Sequence, residues 1–271
     1  MNGASREALA AARERLDALT DSTSVDAGTL AGDLAAVTAL LHREVSLRRV
    51  LTDPAQAGEA KADLVRRLLG SQVGGPALDL VSGLVRSRWS QSRDLVDALE
   101  ELANLADLTA AQRSDALDDV EDELFRFGRI ISSSTGLRAA LTDRKATTAA
   151  KTELLHRLLG GRAKAVTERL VIRLVTAPRG RSLESGLESL SRLAAERRDR
   201  MVAVVTSAVP LSDPQKQRLG AALAKLYGSR MHLNLDVDPE VVGGVRVQVG
   251  DEVINGSLAD RIEDAGRRLA S

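Results

Sequence analysis

The chain has 271 residues, enough for two domains or three small ones, and a hydrophobic content of 44% excludes a disordered chain. Its 38 basic and 38 acidic residues cancel, which argues against a nucleic-acid-binding protein. The sequence contains no cysteine, which excludes disulfides and thiolate metal sites, and only 1% of its residues are aromatic.

Two amphipathic helices are predicted at the start of the chain. The first covers Arg6–Leu19, directly after Ser5, and the second runs from Leu30 to about Glu44. No single helix of this length is stable alone, so we expect these helices to be packed in a bundle. The apolar stripes consist of Leu9, Ala12, Leu16 and Leu19 in the first helix and of Leu34, Val37 and Leu41 in the second.

An internal duplication follows. The segment LRRVLTDPAQAGEAKADLVRRLLG, which starts at Leu47, aligns without a gap with LRAALTDRKATTAAKTELLHRLLG, which starts at Leu137. About sixteen of about forty aligned positions are identical, which indicates a duplicated structural unit of about ninety residues. The first helix has no equally clear second copy, so the second unit either shares the long helix around Leu95–Leu108 or lacks one. We therefore predict two helical bundles, residues 1–105 and 106–200.

The remaining residues, 201–271, have the pattern of a small αβ domain, so the predicted fold is mainly α with a C-terminal αβ region. Met201–Ala208 is rich in valine and is a candidate strand. Ser212 and Gln215 have the spacing of a capping box, and the helix that they open would end at Gly228.

Two further strands and a last helix are predicted after this point. Apolar and polar residues alternate in Met231–Val237 and again in Val245–Val249, a period of two that is typical of half-buried strands. A short run at Val253-Ile254 follows. Ser257 would cap a final amphipathic helix, whose apolar stripe consists of Leu258, Ile262, Ala265 and Leu269.

The stretch from Met231 to Gly250 contains a set of residues at characteristic offsets: Val237, Asp238, Val241, Gly243, Gly244, Val245, Val247, Gln248 and Gly250. This set resembles the C-terminal signature of the delta subunit of F-type ATP synthases, called the oligomycin-sensitivity-conferring protein in mitochondria. The continuation to Ser257 is similar as well. Family members commonly have one helical bundle before the αβ region, whereas two are predicted here, as in the long delta subunits of actinobacteria.

This resemblance implies a non-catalytic stator subunit without a cofactor. The N-terminal bundle would hold N-terminal helices of the alpha subunits, and the C-terminal unit would bind the b subunit. Membrane association would occur only through the complex, at the cytoplasmic side of the cell membrane. Family members usually carry a Tyr-Ala motif in the first helix, where this chain has Glu7-Ala8. The predicted contacts are Leu9, Ala12, Leu16 and Leu19 for alpha, and Leu258, Ile262 and Leu269 for b.

Motifs for catalysis are missing from the sequence. It contains no Gly-x-x-x-x-Gly-Lys-Ser/Thr loop and no Gly-x-Gly-x-x-Gly. Gly243-Gly244 leads into a strand, which favours a turn over a phosphate cradle. His42, His156 and His232 have no metal-ligand spacing, and the acidic run Asp118–Glu123 fits a solvated helix face. Two alternatives remain open at this point: a helical-repeat adaptor unrelated to energy conversion, and an unrecognised enzyme.

Overall fold

The computed structural model describes residues 2–21, 25–198, 201–227, 231–239, 241, 244–249 and 252–255. These residues form twelve helices and four strands. The chain divides into two compact units, Met1–Arg197 and Arg198–Ser271. The described part of the first unit is helical and that of the second contains the strands, which confirms the predicted fold class. The final helix predicted after Ser257 lies outside the described residues.

The first copy of the duplication contains five helices that lead into a long sixth. Helix α1 begins at Gly3 and therefore includes Ser5. The hydroxyl of Ser5 is buried and donates to the Asp94 carboxylate at 2.7 Å. The helices are α1 (Gly3–Asp21), α2 (Ala27–Arg43), α3 (Val45–Thr52), α4 (Gly58–Leu69), α5 (Gly75–Arg86) and α6 (Ser92–Arg113).

The second copy repeats the first with matching helix lengths. Its helices are α7 (Leu117–Ser133), α8 (Thr135–Thr142), α9 (Thr148–Leu159), α10 (Ala165–Thr176) and α11 (Leu183–Arg198). The lengths of 17, 8, 12 and 12 residues in α2–α5 recur in α7–α10. Each begins about ninety residues after its counterpart, so the predicted duplication is confirmed.

Helix α6 is shared by the two copies. It lies against α1, α2 and α3 of the first copy and against α7 and α10 of the second. Its leucines are buried on several faces, and a single apolar core runs through both copies. The boundary predicted between residues 105 and 106 falls inside this helix, and the division into two bundle domains stays a prediction. The fully buried leucines of α6 are Leu95, Leu99, Leu102 and Leu108.

Two glycines inside helices of the second copy provide a test of this packing. A Cβ at Gly128 in α7 would meet nothing within 4 Å, whereas one at Gly186 in α11 would collide with the Leu174 side chain. We expect Gly128→Ala to raise the free energy of unfolding by about 0.5–1 kcal/mol, because glycine is costly inside a helix. Gly186→Ala is expected to lower it by about 1–2 kcal/mol through overpacking. Urea denaturation measures both, and a stabilised Gly186→Ala variant would contradict the close packing of α11.

The second unit is a four-stranded sheet with one described helix. The strands lie in the order β2-β1-β3-β4, with β1 parallel to β2 and antiparallel to β3, and with β3 antiparallel to β4. The three predicted strands and the short fourth run are therefore confirmed. The elements are β1 (Met201–Ser207), α12 (Asp213–Tyr227), β2 (Met231–Val237), β3 (Val245–Val249) and β4 (Glu252–Asn255).

Alternation along the strands places one face of this sheet against α12. Leu223 of α12 packs in a buried cluster with Ala203 and Val205 of β1 and with Val247 and Val249 of β3. The predicted capping box is present in part. The Gln215 side chain accepts from the Ser212 amide at 2.8 Å, but the Ser212 hydroxyl donates to the same oxygen instead of capping the Gln215 amide.

Candidate protein-interaction surfaces

A line of buried polar groups runs along one face of α6. Glu100, Asn104 and Asp107 are buried and lie about one helical turn apart, so they share one face of the helix. Each is paired with arginines of the second copy. We call this set of contacts the seam, and its arginines are Arg169, Arg173, Arg179 and Arg181.

Asp107 is the best-enclosed acid of the seam, with a side chain that is 0% exposed. One of its carboxylate oxygens accepts from Arg169 at 2.7 Å, and the other accepts from Arg173 at 2.7 Å. Arg173 also donates to the side-chain amide oxygen of Asn104 at 2.6 Å. A buried carboxylate is tolerated only when it is paired in this way, so these contacts fix the position of α10 on α6.

Glu100 lies between two arginines of the loop that follows α10. Arg181 donates to its carboxylate at 2.5 Å, and Arg179 forms an ion pair with the same oxygen. Arg179 also donates to the Val96 carbonyl at 2.9 Å, although its backbone has φ 48°, a region that few non-glycine residues adopt. Burial lowers the pKa of Arg179 to about 10, opposed by the nearby Asp97. The guanidinium therefore remains charged at neutral pH.

A further contact joins the end of the second copy to the start of the first. Arg197 of α11 donates to the Asp17 carboxylate of α1 at 2.6 Å and to the Gln112 side chain of α6 at 2.7 Å. Together with the seam, this contact links α1, α6, α10 and α11 by directional bonds. Such bonds specify one arrangement of the two copies more strictly than apolar packing alone.

The stripe predicted to contact the alpha subunit faces the core of this chain. Leu16 is 0% exposed and Ala12 is 8% exposed, and both belong to the central apolar cluster. Leu9 and Leu19 are partly buried against the same cluster. In this structure the four side chains therefore pack inside the helical unit. The assignment of the stripe to an alpha contact stays a prediction.

The described signature residues lie at the end of β2, in the connection that follows it and in β3. The Asp238 amide donates to the Ser207 carbonyl at 3.0 Å, and the Val241 amide donates to the Asp238 carbonyl at 3.1 Å. Gly244 has φ 83°, which requires glycine, and Val247 is buried in the sheet core. We therefore interpret the signature as a turn and a strand that stabilise the sheet. Val237 ends β2, Val245 and Gln248 lie in β3, and Gly243 and Gly250 lie outside the described residues.

The residues predicted to contact b, Leu258, Ile262 and Leu269, also lie outside the described residues. The described sheet does expose apolar side chains. Leu235 and Val237 at the end of β2 are 38% and 46% exposed, although they point to the face that carries α12. These two residues are a candidate partner surface that strand alternation alone did not indicate.

Within the described residues, the histidine and acidic side chains do not form a recognisable metal centre. Burial and the neighbouring arginines lower the pKa of His42, whereas a hydrogen bond to Glu168 raises the pKa of His156. Across the part of the chain that the structure describes, no group of three or more His, Cys, Asp or Glu side chains could hold a metal ion. None of the described helices is long and apolar enough to span a membrane.

The tandem of helical copies, joined by the seam, and the αβ unit are features of a structural subunit. A family model described as ATP synthase delta (OSCP) subunit matches residues 105–269. The chain belongs to this family, and it is a non-catalytic component of the ATP synthase peripheral stalk. This membership decides against the unrelated adaptor and the unrecognised enzyme.

Curated relatives match along the whole chain. "ATP synthase subunit delta" of Streptomyces coelicolor is 84% identical, over 100% of this chain and 99% of the relative. Proteins of the same name from Streptomyces griseus and Thermobifida fusca are 77% and 48% identical, with full coverage of both chains in each case. A chain of the Toxoplasma gondii mitochondrial ATP synthase hexamer is 23% identical over 63% of this chain and 97% of that chain, with a TM-score of 0.28.

The family match begins within α6 and continues through the second copy into the αβ unit. The shared part of the family thus corresponds to the second copy and the C-terminal unit. Helices α1–α5 precede the matched region, whereas the relatives from Streptomyces and Thermobifida match these helices as well.

Proposed function

We propose that this chain links the catalytic head of the ATP synthase to its membrane sector. In this proposal the helical unit holds N-terminal helices of the alpha subunits, and the αβ unit binds the b subunit. The chain would lie at the cytoplasmic side of the cell membrane and would be attached only through the complex. Rotation of the central shaft produces work only if the head cannot turn with it, so the task of the chain is mechanical.

The observation that best supports this role is the seam. A link that resists rotation must be stiff, and within the helical unit Glu100 and Asp107 hold the second copy on the shared helix through buried ion pairs. A bundle joined only by a flexible linker would move freely. Affinity for the partners can come from helix-in-groove docking, and a nanomolar link corresponds to roughly 12 kcal/mol.

The αβ unit is the proposed attachment point for b. Its sheet leaves Leu235 and Val237 partly exposed at the β2 edge, and apolar side chains there suit a helix of another subunit. The predicted stripe of Leu258, Ile262 and Leu269 would add to this contact. Because the two units are separate compact bodies, each can carry its own partner.

Reconstitution of membranes tests the proposed link. Membranes carrying the ATP synthase are stripped of this chain and then supplied with the full-length protein or with a variant truncated after Asn255. We expect the full-length chain to restore ATP-driven proton pumping and the truncated chain to bind the isolated head but not the b subunit. Full-length chain that binds neither the head nor b would overturn the proposal. Normal binding of b by the truncated chain would contradict only the contact assigned to residues 256–271.

A further inference from the structure

The second copy contains an open, largely apolar groove. A cavity of about 720 Å³ separates α7 from α11, with Leu124 and Leu187 at its base. In the first copy the equivalent helices, α2 and α6, lie directly against each other. Phe125 and Ile130 on the α7 side of the groove are 59% and 50% exposed. An exposed phenylalanine is notable in a chain with only two.

One sequence difference between the copies lies on the groove itself. Thr38 of α2, which is buried, is replaced at the equivalent position of α7 by Gly128. Gly128 lines the groove, and a Cβ at this position would meet nothing within 4 Å. The second copy therefore lacks a side chain at a position where the first copy has one.

The walls of the groove carry opposite charges. Arg129 on α7 and Glu188 on α11 both line it, both are exposed, and neither has an ion-pair partner within the described residues. A ligand that fits must be apolar along its centre, acidic beside α7 and basic beside α11. An amphipathic helix meets these requirements, because residues three and four apart form one stripe with charges on each flank.

We propose that the groove between α7 and α11 binds an amphipathic helix of another subunit. The apolar stripe of this helix would pack on Phe125, Ile130 and Leu187, with its acidic flank at Arg129 and its basic flank at Glu188. This inference rests on the proposed function in one respect, namely that the helix belongs to a subunit of the same complex. Phenylalanine is enriched at protein interfaces, and the side chains that contribute most of the binding energy cluster near the interface centre.

A single introduced thiol can report on the groove because the chain has no cysteine. The rate of maleimide labelling of Ile130→Cys is measured in the free chain and in the chain reassembled on stripped membranes. We expect labelling to slow by about ten-fold or more on assembly, since the centre of an interface excludes water. Val50→Cys on α3 is the matched control, because Val50 is 46% exposed and lies outside the groove, and its rate should change by less than about two-fold.

A second test fills the groove with an introduced side chain and compares the result with the same substitution on another helix. Gly128→Leu places a side chain in the open groove, and Gly83→Leu on α5 is its control, because a Cβ at either glycine meets nothing within 4 Å. We expect Gly128→Leu to weaken binding to the complex by about ten-fold or more and Gly83→Leu to leave it unchanged. Circular dichroism is used to check that both variants are folded.

Several results would overturn the inference. Two results would contradict a specific helix in the groove while leaving the proposed function intact. In the first, the Ile130→Cys variant is labelled at the same rate in the free and the assembled chain. In the second, assembly slows the labelling of the Ile130→Cys and Val50→Cys variants equally. Slowing that depends on the concentration of the free chain would identify a second copy as the occupant. Faster labelling after truncation at Asn255 would identify this chain's own C-terminal segment. Failure of the unmodified chain to assemble would overturn the proposed function itself, and the groove proposal with it.

Discussion

Replacing Asp107 with alanine is expected to lower the free energy of unfolding of the helical unit by about 3–5 kcal/mol. The carboxylate is fully buried, and its removal leaves Arg173, which is 14% exposed, without its main partner. Arg169 is 45% exposed and can turn toward solvent, so the largest part of the cost arises at Arg173. Thermal unfolding followed by circular dichroism should show a midpoint lower by on the order of 10 °C.

The ion pair between Arg15 and Asp79 provides the matched control. It also joins two helices, but its side chains are 60% and 43% exposed. Asp79→Ala should therefore cost less than about 1 kcal/mol. A double variant, Asp107→Leu with Arg173→Leu, removes both buried charges and should recover much of the stability lost by Asp107→Ala. Equal effects of Asp79→Ala and Asp107→Ala would show that the seam does not stabilise the fold.

The helices of the two copies could be predicted because their local patterns are strong and are repeated. The stripe of Leu34, Val37 and Leu41 is buried as expected, and the equivalent residues Leu124 and Phe127 are buried in the same way. The shared role of α6 could only be suggested. This helix is buried on nearly all sides because it packs between two sets of helices. Its sequence therefore lacks a single apolar stripe that could be matched to the stripe of α1.

The seam was missed because periodicity does not show which charges become buried. A signal was present in the duplication itself. Arg173 and Arg179 occupy the positions of Gly83 and Trp89 in the first copy, so positive charge is added where the second copy meets α6. The same comparison points to Phe125, which stands where the first copy has Ala35. Within a duplicated chain, shared residues indicate the common fold, and differences in size and charge indicate the new contacts.

The apolar stripe of α1 shows why a partner site is difficult to infer from amphipathicity. An apolar helix face buries itself either in its own bundle or against another protein, and the periodicity is identical in both cases. The choice depends on whether the other helices of the unit leave that face uncovered. Here α1 lies against α5 and α6, and Leu16 is fully buried between them and the rest of the core.

Leu16→Ala is accordingly expected to lower the free energy of unfolding by about 2–5 kcal/mol, because a fully buried leucine leaves a cavity when it is truncated. Leu9→Ala, at a partly buried position of the same stripe, should cost less. Urea denaturation gives both values, and binding to the isolated head is measured at a temperature where each variant is folded. If the stripe serves the core, head affinity should stay within about two-fold of the unmodified chain for both variants. A Leu16→Ala variant with normal stability and lost head binding would instead show that α1 leaves the bundle to present this leucine to the alpha subunit.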